Sequence, residues 1–191
     1  AWSSAASDVY KRQDGNIGIS HTRWATHGIP SEENAHPHHN KDFAVVHNGI
    51  IENYKILKAD LEAEGAEFYS DTDTEVIPHL LSKYYKETNN ILLAIRKVSS
   101  ICEGAFALAI ITDLEPNKLY VTKRSSPLAI GLAESGNYVA SDAYAIADYS
   151  GKICYLEDDD IAILSADNIE IYDRNHTICR RDITLASFSS N

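Results

Sequence analysis

The sequence predicts an α+β fold in which helices and antiparallel strands occupy separate layers. Apolar positions with helical spacing group together between Asn53 and Val98. Beyond Asn117 the chain changes to short alternating runs separated by turn residues, the pattern of antiparallel strands. Elements grouped this way favour stacked layers over a doubly wound parallel sheet. With 191 residues, 44% of them hydrophobic, the chain is long enough for one domain with a substantial core.

The opening "AWSSAASDVYKRQ" has neither a helical nor a strand period, and the chain contains no methionine, so residues 1–14 are read as a non-native or disordered head. "NIGISHTRW" predicts a short strand running into a loop, because Ile17 and Ile19 alternate with small residues. "DFAVVHNG" predicts a second strand, and the Pro- and Asn-rich "GIPSEENAHPHHNK" between them predicts a loop. A helix is expected from about Asn53 to Glu64, with Tyr54, Leu57 and Leu61 on one face and Gly65 as its stop. In "SDTDTEVIPHLLSKYYKE", Thr72 and Glu75 have capping-box spacing ahead of an apolar stripe of Val76, Ile77, Leu80, Leu81 and Tyr84. Pro78 falls near the tolerated opening turn. A third helix carries Ile91, Leu92, Ile95 and Val98 and leads to "GAFALAIITD", a strand buried on both faces. "KLYVTK", "LAIGL", "NYVAS", "KICYLE", "IAILS", "IEIYD" and "TICRRDI" complete the strands.

A net charge of -11 argues against nucleic acid or an anionic membrane surface as partner, since both demand a basic face. No apolar run approaches the roughly eighteen residues needed to cross a bilayer, and the start lacks signal-peptide character, so a cytoplasmic setting is expected. Cys102, Cys154 and Cys179 lack C-x-x-C spacing and read as reduced, small apolar residues.

Chemistry concentrates near the front. His21, His27, His36, His38, His39 and His47 crowd together, but no H-E-x-x-H helix or cysteine partner accompanies them, so no metal site is expected. The Pro-interrupted loop makes His36, His38 and His39 read as surface histidines. In "VVHNGIIEN" the Asn-Gly pair on pattern alone favours a two-residue hairpin turn. The same pair offers a side-chain amide and an unhindered backbone N–H, the equipment of an oxyanion hole. Asp73, ahead of a helix, reads most simply as a cap. Arg23 reads as an ion-pair partner and Trp24 as packing.

Taken in order, "GISHTRWATHGIPSEENAHPH", "VVHNGIIENY" and "SDTDTEV", followed by "RSSPLAIGL" and "YVASD", resemble the class II glutamine amidotransferase domain. The form they resemble most is the glutaminase half of the glucosamine-6-phosphate synthase family. The resemblance covers nearly everything from Gly15 to Thr184. It implies an Ntn-hydrolase-type four-layer αββα sandwich, here with its first strands missing. It also implies that Arg23 clamps the glutamine α-carboxylate and that Thr26 and His27 add hydrogen bonds there. Trp24 would belong to a closing loop, His36 would shape the pocket, and Asp73 would receive the α-ammonium. Asn48, through its amide, and Gly49, through its backbone N–H, would stabilise the tetrahedral oxyanion. No cofactor is implied.

In this family the nucleophile is an N-terminal cysteine whose α-amine serves as base. Position 1 here is alanine, so the sequence reads as an incomplete amidotransferase domain over residues 15–184, inactive alone, with 185–191 as the start of a linker. The resemblance implies L-glutamine as substrate, and ammonia delivered to a sugar-phosphate isomerase domain on the same chain for conversion of fructose 6-phosphate to glucosamine 6-phosphate. It further implies a homo-oligomeric full-length enzyme. The alternatives are a catalytically dead glutamine-binding module and a class II amidotransferase with another acceptor.

Overall fold

The computed structural model describes residues 16–22, 28–29 and 31–185. Two antiparallel sheets lie face to face, with three α-helices packed on the free face of the larger one. The larger sheet contains β1 (His38–His39), β2 (Phe43–Gly49), β3 (Phe106–Thr112), β4 (Leu119–Arg124), β8 (Ile161–Leu164), β9 (Ile169–Tyr172) and β10 (Ile178–Cys179), in the order β1-β2-β3-β4-β8-β9-β10. The smaller contains β5 (Ala129–Ala133), β6 (Gly136–Ala140), β7 (Lys152–Tyr155) and β11 (Ile183–Leu185), in the order β11-β7-β5-β6. The helices are α1 (Tyr54–Ala63), α2 (Val76–Thr88) and α3 (Ile91–Ile101).

Strand alternation sorts the core into layers. Phe43 and Val45 of β2 and Phe106, Leu108 and Ile110 of β3 face the helices, where they meet Leu57, Leu61, Ile77, Leu81, Ile95 and Val98. Ala107, Val121, Ala162 and Leu164 face the smaller sheet and meet Leu128, Ile130, Cys154 and Leu156. A strand covered on both sides cannot alternate apolar with polar, and that is why "FALAIIT" is apolar almost throughout. The outer face of the smaller sheet carries Ala129 and Ile153 under Ala143 and Ile146 of a 3-10 helix, Ala143–Ile146, which supplies the described part of the fourth layer.

The ends of the helices follow local chemistry. Asn90 caps α3 by accepting from the Leu93 N–H, and Asn89 closes α2 in the left-handed region that asparagine tolerates. Gly65, at φ 93°, stops the turn after α1 as expected. Pro78 is the third residue of α2, inside the first turn, where its missing N–H costs nothing. At the far end of α3, Arg124 of β4 donates to the carbonyls of Ser99 and Cys102 at 2.8 and 2.9 Å and pairs with Asp159. Its guanidinium lies 5.1 Å from the Phe106 ring centroid.

Five local expectations are corrected. Residues 16–22 form no strand, although Ile17 and Ile19 alternate with small residues. The stretch expected to be wholly loop contributes β1, with His38 opposite Val45. The Asn48–Gly49 pair is not a hairpin turn: both residues finish β2 and pair with Ala107 and Phe106. Thr72 and Glu75 form no capping box, because Glu75 turns back to the preceding loop. "TICRRDI" is two strands in two sheets, β10 and β11, and β11 extends to Leu185, one residue into the stretch read as linker.

Candidate active site

Where β2 leaves its sheet, the chain passes close to the segment that enters β3. The Ile50 N–H donates to the Ala105 carbonyl at 2.8 Å and the Glu52 N–H to the Glu103 carbonyl at 2.9 Å. Asn53 adds its side chain, donating to Ile101 O at 2.8 Å and accepting from Glu103 N at 3.0 Å. This approach explains Gly49, which has φ 127°. A Cβ there would overlap the Ala105 carbonyl oxygen and stand 2.9 Å from Phe106 Cα. Gly104, at φ 106°, faces the Ile50 carbonyl from the other side of the crossing. Asn48 is paired with Ala107, so its side chain lies on the face toward the smaller sheet, and it is exposed. The Ser126 hydroxyl donates to its backbone oxygen at 3.3 Å.

Asp73 does not cap α2, whose first residue is Val76. Its carboxylate is buried and accepts the Ile51 N–H at 2.7 Å. That bond spans 22 residues of sequence and brings Asp73 within two residues of Gly49. Two residues of extended chain reach at most about 7 Å. The buried His47 ring, on the same strand face as Phe43 and Val45, has Nδ1 4.0 Å from the Asp73 carboxylate.

The histidines expected at the surface divide. His39 is exposed, whereas His36 and His38 are buried. Threonine hydroxyls organise the buried rings. Thr74 Oγ1 lies 2.9 Å from His47 Nδ1 and 3.3 Å from His36 Nε2, and Thr72 Oγ1 lies 3.0 Å from His38 Nε2. The His36 ring also stacks at 4.3 Å on His21 and at 4.9 Å, edge-on, on His38. Among the described residues no three metal-ligating side chains converge. Asn34 ties the front stretch to the Asp73 loop: its amide donates to Ile29 O at 3.0 Å and accepts Asp71 N at 2.8 Å. Gly28, at φ 73°, packs so closely on Asn34 that a Cβ would stand 2.6 Å from its amide nitrogen.

Of the candidate residues, Asn48, Gly49, His36 and Asp73 therefore gather at one corner of the fold. Arg23, Trp24, Thr26 and His27 lie outside the described residues. Sequence reasoning missed Thr72, Thr74, Asn34 and Ser126. The one available signal for the threonines was their alternation around the aspartate in "DTDTEV".

Among the described residues none of the three thiols hydrogen-bonds to Asn48, Gly49, His36 or Asp73. Burial pushes the Cys102 thiol up to about 12, and it raises Cys154 in the core between the sheets. Cys179 is on β10, five strands across the sheet from β2, about 24 Å at the usual spacing.

Comparison with known proteins gives a consistent result. The sequence profile of a family described as "Glutamine amidotransferase domain" matches residues 21–148. The chain is 45% identical over 179 residues to a protein named glutamine–fructose-6-phosphate aminotransferase [isomerizing] from Clostridium acetobutylicum, covering 93% of this chain and 29% of that protein. Proteins of the same name from Aquifex aeolicus and Acinetobacter baylyi are 54% and 51% identical, over 81% and 83% of this chain and 26% of each relative. The chain thus spans less than a third of the length of these relatives. Among solved structures, the glutamine phosphoribosylpyrophosphate amidotransferase of B. subtilis, complexed with ADP and GMP, is similar with a TM-score of 0.65 and 29% identity. That match covers 84% of this chain and 35% of the other. A structure titled as the allosteric regulatory enzyme of purine biosynthesis is similar with a TM-score of 0.61 and 28% identity, over 78% of this chain and 33% of the other.

Proposed function

Because the chain belongs to the glutamine amidotransferase family, we propose that its full-length protein hydrolyses the side-chain amide of L-glutamine, with residues 15–184 supplying the substrate clamps and oxyanion donors and the attacking cysteine lying outside them. The ammonia released is passed to a sugar-phosphate isomerase domain on the same polypeptide, which converts fructose 6-phosphate to glucosamine 6-phosphate. The acceptor assignment rests on relatives 45–54% identical that carry fructose 6-phosphate in their names. The 29% identity to the phosphoribosylpyrophosphate enzyme makes that acceptor the weaker reading. A cytoplasmic setting is in keeping with the absence, among the described residues, of any helix long and apolar enough to cross a membrane.

One observation carries the reading: the bond from Ile51 N–H to the Asp73 carboxylate, which makes neighbours of two groups of opposite purpose. Amide hydrolysis requires clamps that hold the substrate and donors that meet the charge developing on the amide oxygen. In glutamine the α-ammonium and the amide carbon are four bonds apart, roughly 5 Å when extended. Asp73 receiving the ammonium therefore leaves the amide within reach of the Asn48–Gly49 strand end. The Asn48 Nδ2–H and the Gly49 N–H stabilise the tetrahedral oxyanion. Arg23 grips the α-carboxylate through its planar donor fork, Thr26 and His27 bond the same end, Trp24 closes over it, and His36 shapes the wall.

The test is glutamate and ammonia production by the full-length protein, before and after Arg23→Lys. Lysine keeps the charge but cannot form two parallel bonds to a carboxylate. Losing them in a desolvated site costs about 2–5 kcal/mol, so kcat/KM for glutamine is expected to fall roughly thirty-fold or more. Unchanged kcat/KM removes Arg23 from the role. Saturable glutamine binding with no glutamate formed makes the protein a binding module instead.

A further inference from the structure

Resting on the reading of Asp73 as the ammonium acceptor, we propose that Glu75 is a positioning residue that sets where the Asp73 carboxylate stands. Glu75 is buried, two residues after Asp73 and one before the first residue of α2. Both its carboxylate oxygens are used on the loop that carries Asp73. The Tyr69 N–H donates to Oε1 at 2.9 Å, and the Ser70 N–H and hydroxyl donate to Oε2 at 2.7 and 2.6 Å. A buried carboxylate is costly unless its lone pairs are satisfied, and here three donors from one short loop satisfy them.

The loop has little freedom left. Ser70 Oγ lies 3.0 Å from Thr72 Oγ1, which in turn lies 3.0 Å from His38 Nε2, so the Glu75 clamp continues as a line of hydrogen bonds into β1. Thr74 is held by His47 and His36, and Asp71 N by Asn34. Asp73 lies between these attachments, with Oδ2 fixed by Ile51 N. Among the described residues Glu75 makes no hydrogen bond to Asn48, Gly49, His36 or Asp73, and its carboxylate closes the loop on itself. Removing it releases the Tyr69 and Ser70 amides and the Ser70 hydroxyl, and the shift passes through the Ser70–Thr72 contact to Asp73.

This places a specific demand on ligand recognition. A residue acting through Asp73 affects substrates that carry an α-ammonium and spares those that lack it. The test compares hydrolysis of glutamine with that of its des-amino analogue, 5-amino-5-oxopentanoate, by the full-length protein and its Asp73→Asn, Glu75→Ala, Glu75→Gln and Ser70→Ala variants, with Tm recorded for each. Asp73→Asn is expected to abolish the preference for glutamine. Glu75→Ala is expected to raise the KM for glutamine roughly ten-fold, with kcat and the KM for the analogue changed less than about three-fold. Glu75→Gln retains one acceptor oxygen and Ser70→Ala removes one donor, so both give smaller shifts in the same direction, even if Glu75→Ala fails to fold. If Asp73→Asn erases the preference while Glu75→Gln and Ser70→Ala leave it intact, or weaken both substrates equally, the positioning role is overturned and the reading of Asp73 survives. If Asp73→Asn leaves the preference intact, the reading of Asp73 fails and this inference falls with it.

Discussion

Replacing Asn48 by alanine separates the chemistry of the strand end from its architecture. The Asn48 side chain is exposed, and among the described residues its amide makes no hydrogen bond; the Ser126 hydroxyl donates to its backbone oxygen, a bond that survives the substitution. Asparagine and alanine are both poor strand residues, so the stability change is expected to stay within about 0.5 kcal/mol. An oxyanion donor, by contrast, contributes about 2.7–4 kcal/mol to the transition state and little to the ground state. The expected result in the full-length protein is a kcat for glutamine hydrolysis lower by roughly 10²–10³, with KM nearly unchanged and a urea midpoint that hardly moves. A kcat within ten-fold of the parent would refute the assignment. A parallel loss of more than about 1.5 kcal/mol in stability would show that Asn48 supports the strand end instead.

Gly49→Ala is expected to behave in the opposite way. Its positive φ and the overlap of a Cβ with the Ala105 backbone together cost about 4 kcal/mol, read as a large fall in the urea midpoint; a loss under 1 kcal/mol would contradict the close crossing. His79 supplies a pH-dependent term. Burial against Phe68 holds its pKa below the ordinary 6.5, outweighing the opposing pull of Glu75. The unfolded chain therefore takes up this proton first as pH falls, so stability is full above pH 6.5, declines below it, and levels off beneath the folded pKa. His79→Gln is expected to lose less stability than the parent between pH 7.5 and 5.5 in urea titrations, and parallel losses would rule the term out.

The legibility of this chain in its sequence depends on the range of the interactions involved. The helices announce themselves because Leu57 and Leu61, or Ile91, Ile95 and Val98, repeat with the helical period within one element. β3 is equally plain, as only a strand covered on both faces is so uniformly apolar. Asn48–Gly49 misleads because the reason for the glycine is the Ala105 backbone, 56 positions away, and no local pattern records that approach. Asp73 and Glu75 also mislead. Each has the spacing of a cap, but Asp73 accepts from Ile51, 22 positions back on the chain leaving β2, and Glu75 accepts from Tyr69 and Ser70 in its own loop. The buried array of His36, His38 and His47 is likewise tertiary, since threonine hydroxyls complete it from another segment. The roles given to Asn48, Gly49, His36 and Asp73 came from whole-motif resemblance, and residue-by-residue reading alone would have preferred turn, loop and cap.

Arg124 gives the close crossing at Gly49 a dynamic meaning. Its guanidinium holds the last carbonyls of α3, and the chain leaving that helix is the one that bonds Ile50 and Glu52. The strand end is thus braced from below by a helix terminus and from the side by Asp73, before any ligand arrives. Opening it would break several backbone bonds at once, so fluctuations there belong to the slow, near-global class. A backbone N–H held this firmly at Gly49 would need little reorganisation if charge appeared on a neighbouring oxygen. If the proposed chemistry takes place here, it meets a strand end whose backbone is set in advance by the fold.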